Sequence, residues 1–233
     1  MQKNDLLYEG RAKKVFTTDD PDLLLVDYRQ ENIAAYDEKK DAMVTQAAIN
    51  NRMTNYIFRM LEEKGIPTHY VQELSDRETV VKKVEIIPLK VIIRNIAAGS
   101  FSRILGMEEG LPLLSPTLEF NYKNRELGDP MINDYYAIAI GAATREELDR
   151  MTELAFRINE ELKEFFLEKG ISLVDLKMEF GRYKGQIILA DEISPETCRF
   201  RDAGTNEKLE SNCTDSDDLS SGAYQIMYKQ LGL

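Results

Sequence analysis

The amino-acid sequence predicts an α+β fold, and three observations predict it. Apolar, β-rich runs dominate the early chain, from "LLYEGRAKKVF" to "VVKKVEIIPLKVIIRN". Two long stretches with helical spacing follow the first and the last of these runs, and a second strand pair, "DLKMEFGRYKGQIILADEI", comes after the later helix.

Taken in order, "LLYEGRAKKVFTT" reads as the first arm of a β-hairpin, "DDPD" as its turn and "LLLVDYR" as its second arm. Gly10 to Lys14 places cations on a glycine-relieved strand, which by itself reads as a solvated basic edge. Residues 41–64 are expected to be helical, with Met43, Ala47, Asn51, Ile57 and Leu61 spaced by turns and a stop at Gly65-Ile66-Pro67. "ETVVKKVEIIPLKVIIRNIAAGS" reads as two apolar strands broken at Pro88, the second ending at Arg94. Ser100 is placed to open a short helix with Arg103 in its first turn. The long helix starts at a capping box, Thr144 with Glu147; Leu148, Met151, Ala155, Ile158, Leu162 and Phe166 form its core stripe, and Gly170 stops it. A short helix around "GAYQIMYKQLGL" closes the chain. No internal repeat and no Pro- or Ser-rich linker is present, so a lobe boundary is expected within a strand connection near Pro88, dividing a β-rich lobe, 1–88, from an α+β lobe, 89–233.

The bulk properties narrow the chemistry. With 233 residues, 43% of them hydrophobic, the chain can bury a sizeable core. No run of about eighteen apolar residues is present, and the start lacks the apolar stretch of a signal peptide, so a cytoplasmic protein with no membrane partner is expected. The net charge of −11 argues against non-specific nucleic-acid binding, although a small basic pocket would be invisible in that sum. Cys198 and Cys213 lack metal-ligand spacing, and a single histidine, His69, argues against a His/Cys zinc site or a histidine triad. Chemistry then rests on carboxylates, Lys and Arg. Neither a Walker loop nor a Rossmann fingerprint is present.

Two constellations stand out. With period two, Asp175, Lys177 and Glu179 share one strand face. The short "GRYKGQ" connection makes the next strand antiparallel, so Glu179 and Asp191 could lie across from each other. A solvated face with Lys177 as partner would explain the first three residues. Asp191, flanked by apolar positions, resists that explanation, because an uncompensated buried carboxylate costs several kcal/mol. Paired carboxylates suit Mg²⁺, which takes one or two of them and fills its remaining positions with water and substrate phosphates. The second constellation is "RNIAAGSFSR", in which Arg94, Ser100 and Arg103 could converge on a phosphate monoester, with an ordinary Ser N-cap as the alternative. A basic hairpin and metal carboxylates together suggest a two-lobed ATP clamp.

In this order the segments "LLYEGRAKKVF", "EKGIPTH", "LSDRETVVKKVEIIPLKVIIRNIAAGSFSRILGMEEG", "YKNRELGDPMIN", "LVDLKMEFG" and "LADEISPETCR" resemble the SAICAR synthetase family, the ATP-dependent ligases of purine biosynthesis. The resemblance implies a two-lobed, ATP-grasp-related fold with the nucleotide between lobes, and a homodimer. It implies that ATP phosphorylates a carboxy-aminoimidazole ribonucleotide and that L-aspartate then displaces phosphate. Arg11 and Lys13 would hold ATP phosphates, and the segment from Lys82 through Ile86 to Leu89 would line the adenine pocket. Glu179 and Asp191 would hold Mg²⁺. Arg94, Ser100, Asp175 and Arg199 would bind the ribonucleotide, with Arg94 and Asp175 also counted among the catalytic residues. Lys177 would lie near the transferred phosphoryl group, and Lys123 and Asp129 at the rim.

The chain departs from the family pattern at "IAAYDE", at "TQAAINN" and at "ESNCTDSDDLSS", where Ser211 and Asp215 stand in place of Lys and Arg. At an effective dielectric of about 20, turning an attraction at about 4 Å into a repulsion shifts binding by several kcal/mol. Three readings therefore stand: a SAICAR synthetase with a drifted segment, a paralogous ligase with another acid or amine, and a nucleotide-binding protein without turnover.

Overall fold

The computed structural model describes residues 2–10, 12–29, 33–37, 42–209 and 223–232. The chain divides into two compact units, one formed by Met1–Glu85, Glu192–Glu196 and Glu210–Leu233, the other by Ile86–Asp191 and Thr197–Leu209. Among the described residues no helix is long and apolar enough to cross a membrane.

The first unit carries β1 (Lys3–Glu9), β2 (Lys13–Thr18), β3 (Leu23–Tyr28), β4 (Ile33–Asp37), β5 (Ala42–Thr45), α1 (Gln46–Glu63), β6 (Tyr70–Glu73) and β7 (Glu78–Lys82). Its five-stranded sheet runs β1-β2-β3-β7-β6, with β4 and β5 paired separately. The expected first hairpin arm is itself a hairpin: the chain reverses at Gly10, whose N–H donates to the Lys13 carbonyl at 2.9 Å, and β1 pairs back onto β2. A Cβ at Gly10 would meet the Tyr8 ring at 3.1 Å, so the glycine permits the close turn. The helix expected from residue 41 begins at Gln46. Residues 42–45 are strand, and Thr45 caps the helix by accepting from the Ala48 N–H at 3.3 Å. Ile49, Met53, Ile57 and Leu61 form its fully buried stripe. Two buried asparagines of the helix are matched on β7, Asn55 donating to Thr79 Oγ1 (2.8 Å), which donates to Asn51 (2.7 Å). Tyr224 and Tyr228 of the C-terminal helix (Ala223–Leu231) pack on Val44, Ala48 and Ile49.

Past β7 the chain forms β8 (Glu85–Ile96), α2 (Gly99–Leu105), β9 (Pro112–Tyr122), β10 (Met131–Ile132), α3 (Asp134–Ala139), α4 (Arg145–Leu167), β11 (Ile171–Tyr183), β12 (Gln186–Ala190), β13 (Cys198–Asp202) and β14 (Lys208–Leu209). The second unit's sheet runs β10-β9-β8-β11-β13-β14, with β12 also on β11. Pro88 does not break the strand as expected; the interruption lies at residues 83–84. Pro88 keeps its carbonyl on the β9 side, accepting from the Lys123 N–H at 3.0 Å. Having no N–H, Pro88 cannot return a bond to Lys123, and β9 ends one residue earlier, at Tyr122. The expected capping box at Thr144 and Glu147 is present.

The sheet's two faces divide the labour. Ile87, Leu89, Val91 and Ile93 of β8, and Leu176, Met178 and Phe180 of β11, are buried, and α4 packs along β11 with Met151, Ile158 and Phe166 fully buried. The alternate positions, Lys90, Ile92 and Arg94 on β8 and Asp175, Lys177 and Glu179 on β11, therefore share the opposite face. On β11 this phase is set by a bulge: Leu173 pairs with Phe200 but Asp175 pairs with Arg199, so one extra residue shifts the alternation between them.

Candidate active site

A dense polar cluster lies on that second face. Arg94 is 3% exposed and its guanidinium is held on three sides. Its Nε and Nη2 donate to the two Glu119 carboxylate oxygens at 2.5 and 3.1 Å, its Nη1 to Asp175 Oδ2 at 2.8 Å and its Nη2 to Ser100 Oγ at 3.3 Å. Burial opposes the charge, but the bonds and charges of Glu119 and Asp175 outweigh it and raise the Arg94 pKa. Arg199 donates to Asp175 through Nε (2.9 Å) and Nη2 (2.5 Å), and its side chain is 47% exposed. Arg94 is thus a locked cation and Arg199 an accessible one. Gly99, at φ +59, leaves room for Arg199, because a Cβ there would collide with the guanidinium.

Ser100 does not cap α2. The N-cap position is Ala98, with no side-chain bond, and the Ser100 hydroxyl faces Arg94 instead. The Gly99 N–H donates to Glu109 at 2.9 Å, and Glu109 also pairs with Lys208 at 2.5 Å. Lys208 first, then the Gly99 N–H, hold the Glu109 carboxyl down to about 2.

The expected metal carboxylates sit differently from the simple hairpin picture. Glu179 is opposite Ala190, and Asp191 lies one residue past β12 with φ at +64, where strand alternation no longer holds. Glu179 is 5% exposed and pairs with Lys123 Nζ at 2.5 Å; the lysine side chain is 39% exposed. Lys177 is half-buried on the same face, and its N–H donates to the Thr197 carbonyl at 2.8 Å. Asp129 is paired with Lys90, whose hydrogen bond holds its carboxyl below the ordinary range. Among the described residues no group of three or more His, Cys, Asp or Glu gathers as a metal cage.

In the first unit, Lys13 on β2 lies 3.6 Å from Glu192 and 5.5 Å from the Tyr28 ring centroid. Lys82 donates to the Thr68 carbonyl at 2.8 Å and lies 3.4 Å from Glu62. Ile86 is an exposed residue at the start of β8. Arg11, Ser211 and Asp215 fall outside the described residues. His69 is buried against Phe58, a core histidine. Reading the sequence missed Glu119 and Glu192. An acid alternating with apolar neighbours in "TLEFNY" was the available signal for Glu119, and Glu192 was masked by the neighbouring Asp191.

An α+β chain with a buried guanidinium–carboxylate cluster, an accessible arginine and a lysine-paired glutamate has the parts of an enzyme that handles anionic substrates by charge. Comparison with known proteins specifies which. The family model described as SAICAR synthetase matches residues 6–223. Phosphoribosylaminoimidazole-succinocarboxamide synthase of Lachnoclostridium phytofermentans is 54% identical over 234 residues, covering 100% of both chains. The crystal structure of the corresponding synthase from Ehrlichia chaffeensis superposes with a TM-score of 0.87 at 38% identity, covering 98% of each chain. A SAICAR synthetase in complex with ADP gives 0.84 at 39% identity, covering 96% of each. The chain belongs to the SAICAR synthetase family, with the expected α+β fold of that family and its class of enzyme, the ATP-dependent ligases of purine biosynthesis.

Proposed function

We propose that this chain joins carboxy-aminoimidazole ribonucleotide to L-aspartate with release of ADP and phosphate, as a cytoplasmic homo-oligomer. What carries this reading is the second face of the β9–β8–β11–β13 sheet, which gathers Arg94, Arg199, Lys123, Asp175 and Glu179, in a chain similar to SAICAR synthetases from end to end. In the reaction a substrate carboxylate oxygen attacks the γ-phosphorus of ATP and ADP departs. The aspartate nitrogen then attacks the acyl carbon, loses a proton and displaces phosphate. No protein nucleophile is required, only positioning and neutralisation of charge.

In this reading Arg199 and Ser100 bind the phosphate of the ribonucleotide, and Arg94, held by Glu119 and Asp175, fixes the floor beneath it. Arg11 and Lys13 bind ATP phosphates, and the segment from Lys82 through Ile86 to Leu89 lines the adenine. Lys177 approaches the transferred phosphoryl group, while Lys123 and Asp129 form the rim. Glu179 and Asp191 would hold Mg²⁺. The donor set fits, being oxygen-only, and the buried Glu179 is paired with a flexible, partly exposed lysine that a divalent cation can replace. When bound, the ion neutralises charge across the ATP phosphates.

The test is phosphate release from ATP and Mg²⁺ by the purified protein, expected to need both the ribonucleotide and aspartate. The substitutions at Ser211 and Asp215 favour a second reading, a ligase for another acid or amine. Release that requires a different pair would establish that reading. Tight ADP binding without release under any pair would leave a nucleotide-binding protein.

A further inference from the structure

We propose that Glu192 is a positioning residue that holds the Lys13 ammonium ready for the phosphate chain of a nucleotide, an inference that rests on the reading of Lys13 given above. Glu192 is 6% exposed, a carboxylate that folding has taken out of water. Its Oε1 lies 3.6 Å from Lys13 Nζ, and the two side chains are 7% and 13% exposed. The carboxylate is fixed from behind: Ser194 Oγ donates to Glu192 Oε2 at 3.1 Å and accepts from the Glu196 N–H at 3.2 Å. Glu196 in turn accepts from the Tyr224 hydroxyl at 2.6 Å, and Tyr224 is fully buried in the C-terminal helix. Burial first, then this bond, push the Tyr224 phenol far above its usual range, so it remains a donor to Glu196.

On the other side, Lys13 stands on β2 in register with Tyr28 of β3, whose ring lies 5.5 Å from the ammonium. A lysine has four rotatable side-chain bonds, and an incoming anion must normally pay for stilling them. With Glu192 beside it and the ring across the strand, much of that ordering is complete before the anion arrives. The 3.6 Å separation is that of an ion pair rather than a hydrogen bond, so charge attraction keeps the ammonium beside the carboxylate. A merely structural pair would fasten segment 192–196 to β2 and leave nucleotide affinity alone.

The experiment is a double-mutant cycle read by the KM for ATP and by the equilibrium Kd for ADP, which does not depend on turnover. Glu192→Gln keeps the shape and removes the charge. It should weaken ATP and ADP about tenfold, with the KM for the other substrates within about twofold. In a Lys13→Met background the same change should have almost no further effect. Ser194→Ala, which loosens the carboxylate and leaves its charge, should give a loss of about two- to fourfold and decides the matter if Glu192→Gln fails to fold. A Glu192→Gln affinity unchanged within twofold, or an undiminished effect without Lys13, overturns the proposal; with Ser194→Ala as the deciding variant, unchanged affinity overturns it. If Lys13→Met itself leaves ATP and ADP affinity unchanged, the reading of Lys13 has failed, and the proposal with it.

Discussion

Asp175 and Glu179 are equally buried, at 5% exposure, four residues apart on one face of β11, yet they are held in opposite ways. Asp175 is gripped by two guanidiniums, one of them 4% exposed and itself held bidentately by Glu119. Glu179 is paired with a lysine ammonium whose side chain is 39% exposed. The planar, always charged guanidinium fixes geometry, whereas the ammonium is a mobile point charge that another cation can replace. On the reading proposed above, Asp175 belongs to a permanent floor and Glu179 is a carboxylate whose counter-ion can be exchanged.

The largest expected effect tests that contrast directly. Asp175→Asn leaves Arg94 buried and short of an anion, and should lower the unfolding free energy by about 3 kcal/mol. Glu179→Gln should cost less than about 1 kcal/mol, because its partner reaches water, while turnover falls about a hundredfold or more. Urea denaturation of both variants beside the parent measures the difference. Equal losses of stability would break the comparison.

How far this contrast could be read from residues alone depends on which distances set it. Period two along "DLKMEF" correctly grouped Asp175, Lys177 and Glu179, because alternation is local. Their pairing partners were not legible. The bulge between Leu173 and Asp175 and the Glu179–Ala190 register arise from cross-strand geometry that leaves no mark within the strand. For the same reason Glu119 went unseen: its value lies in standing on β9 beside Arg94, 25 residues away in sequence. Caps and stops were readable at Thr144, Gly65 and Gly170, where the signal is a residue type at a fixed offset. The helix start at Gln46 was not, since Met43 and Val44 fit helical spacing and strand pairing alike.

A smaller effect sharpens the Glu179 side. Lys123→Met removes the charge opposite a buried carboxylate, so the variant should melt a few degrees lower in metal-free buffer. Adding MgCl₂ without nucleotide should then raise its melting temperature more than the parent's, because the ion no longer competes with an ammonium. Thermal scans with and without the salt, using NaCl at equal ionic strength as control, read this out. Identical Mg²⁺ shifts in both proteins would mean that Lys123 and the metal do not share Glu179.

The smallest effect comes from a third carboxylate, Glu109, which carries the comparison to the surface. It has a lysine and a backbone N–H for partners, as Glu179 has a lysine, but it lies in solvent, where water and salt screen the pair. Its folded pKa, about 2, is below the ordinary 4.5, so the stabilisation is complete above pH 4.5 and is lost as the pH falls toward 2. Glu109→Gln should therefore lower the melting temperature by about a degree or two at pH 7, and by less at pH 3. At about 1 M NaCl the pH 7 difference should shrink, whereas the loss in Asp175→Asn, whose pair with Arg94 is out of water, should persist. Melting curves of the parent and both variants at the two pH values and two salt concentrations decide it. A Glu109 effect that resists salt would place that carboxylate with Asp175 rather than at the screened surface.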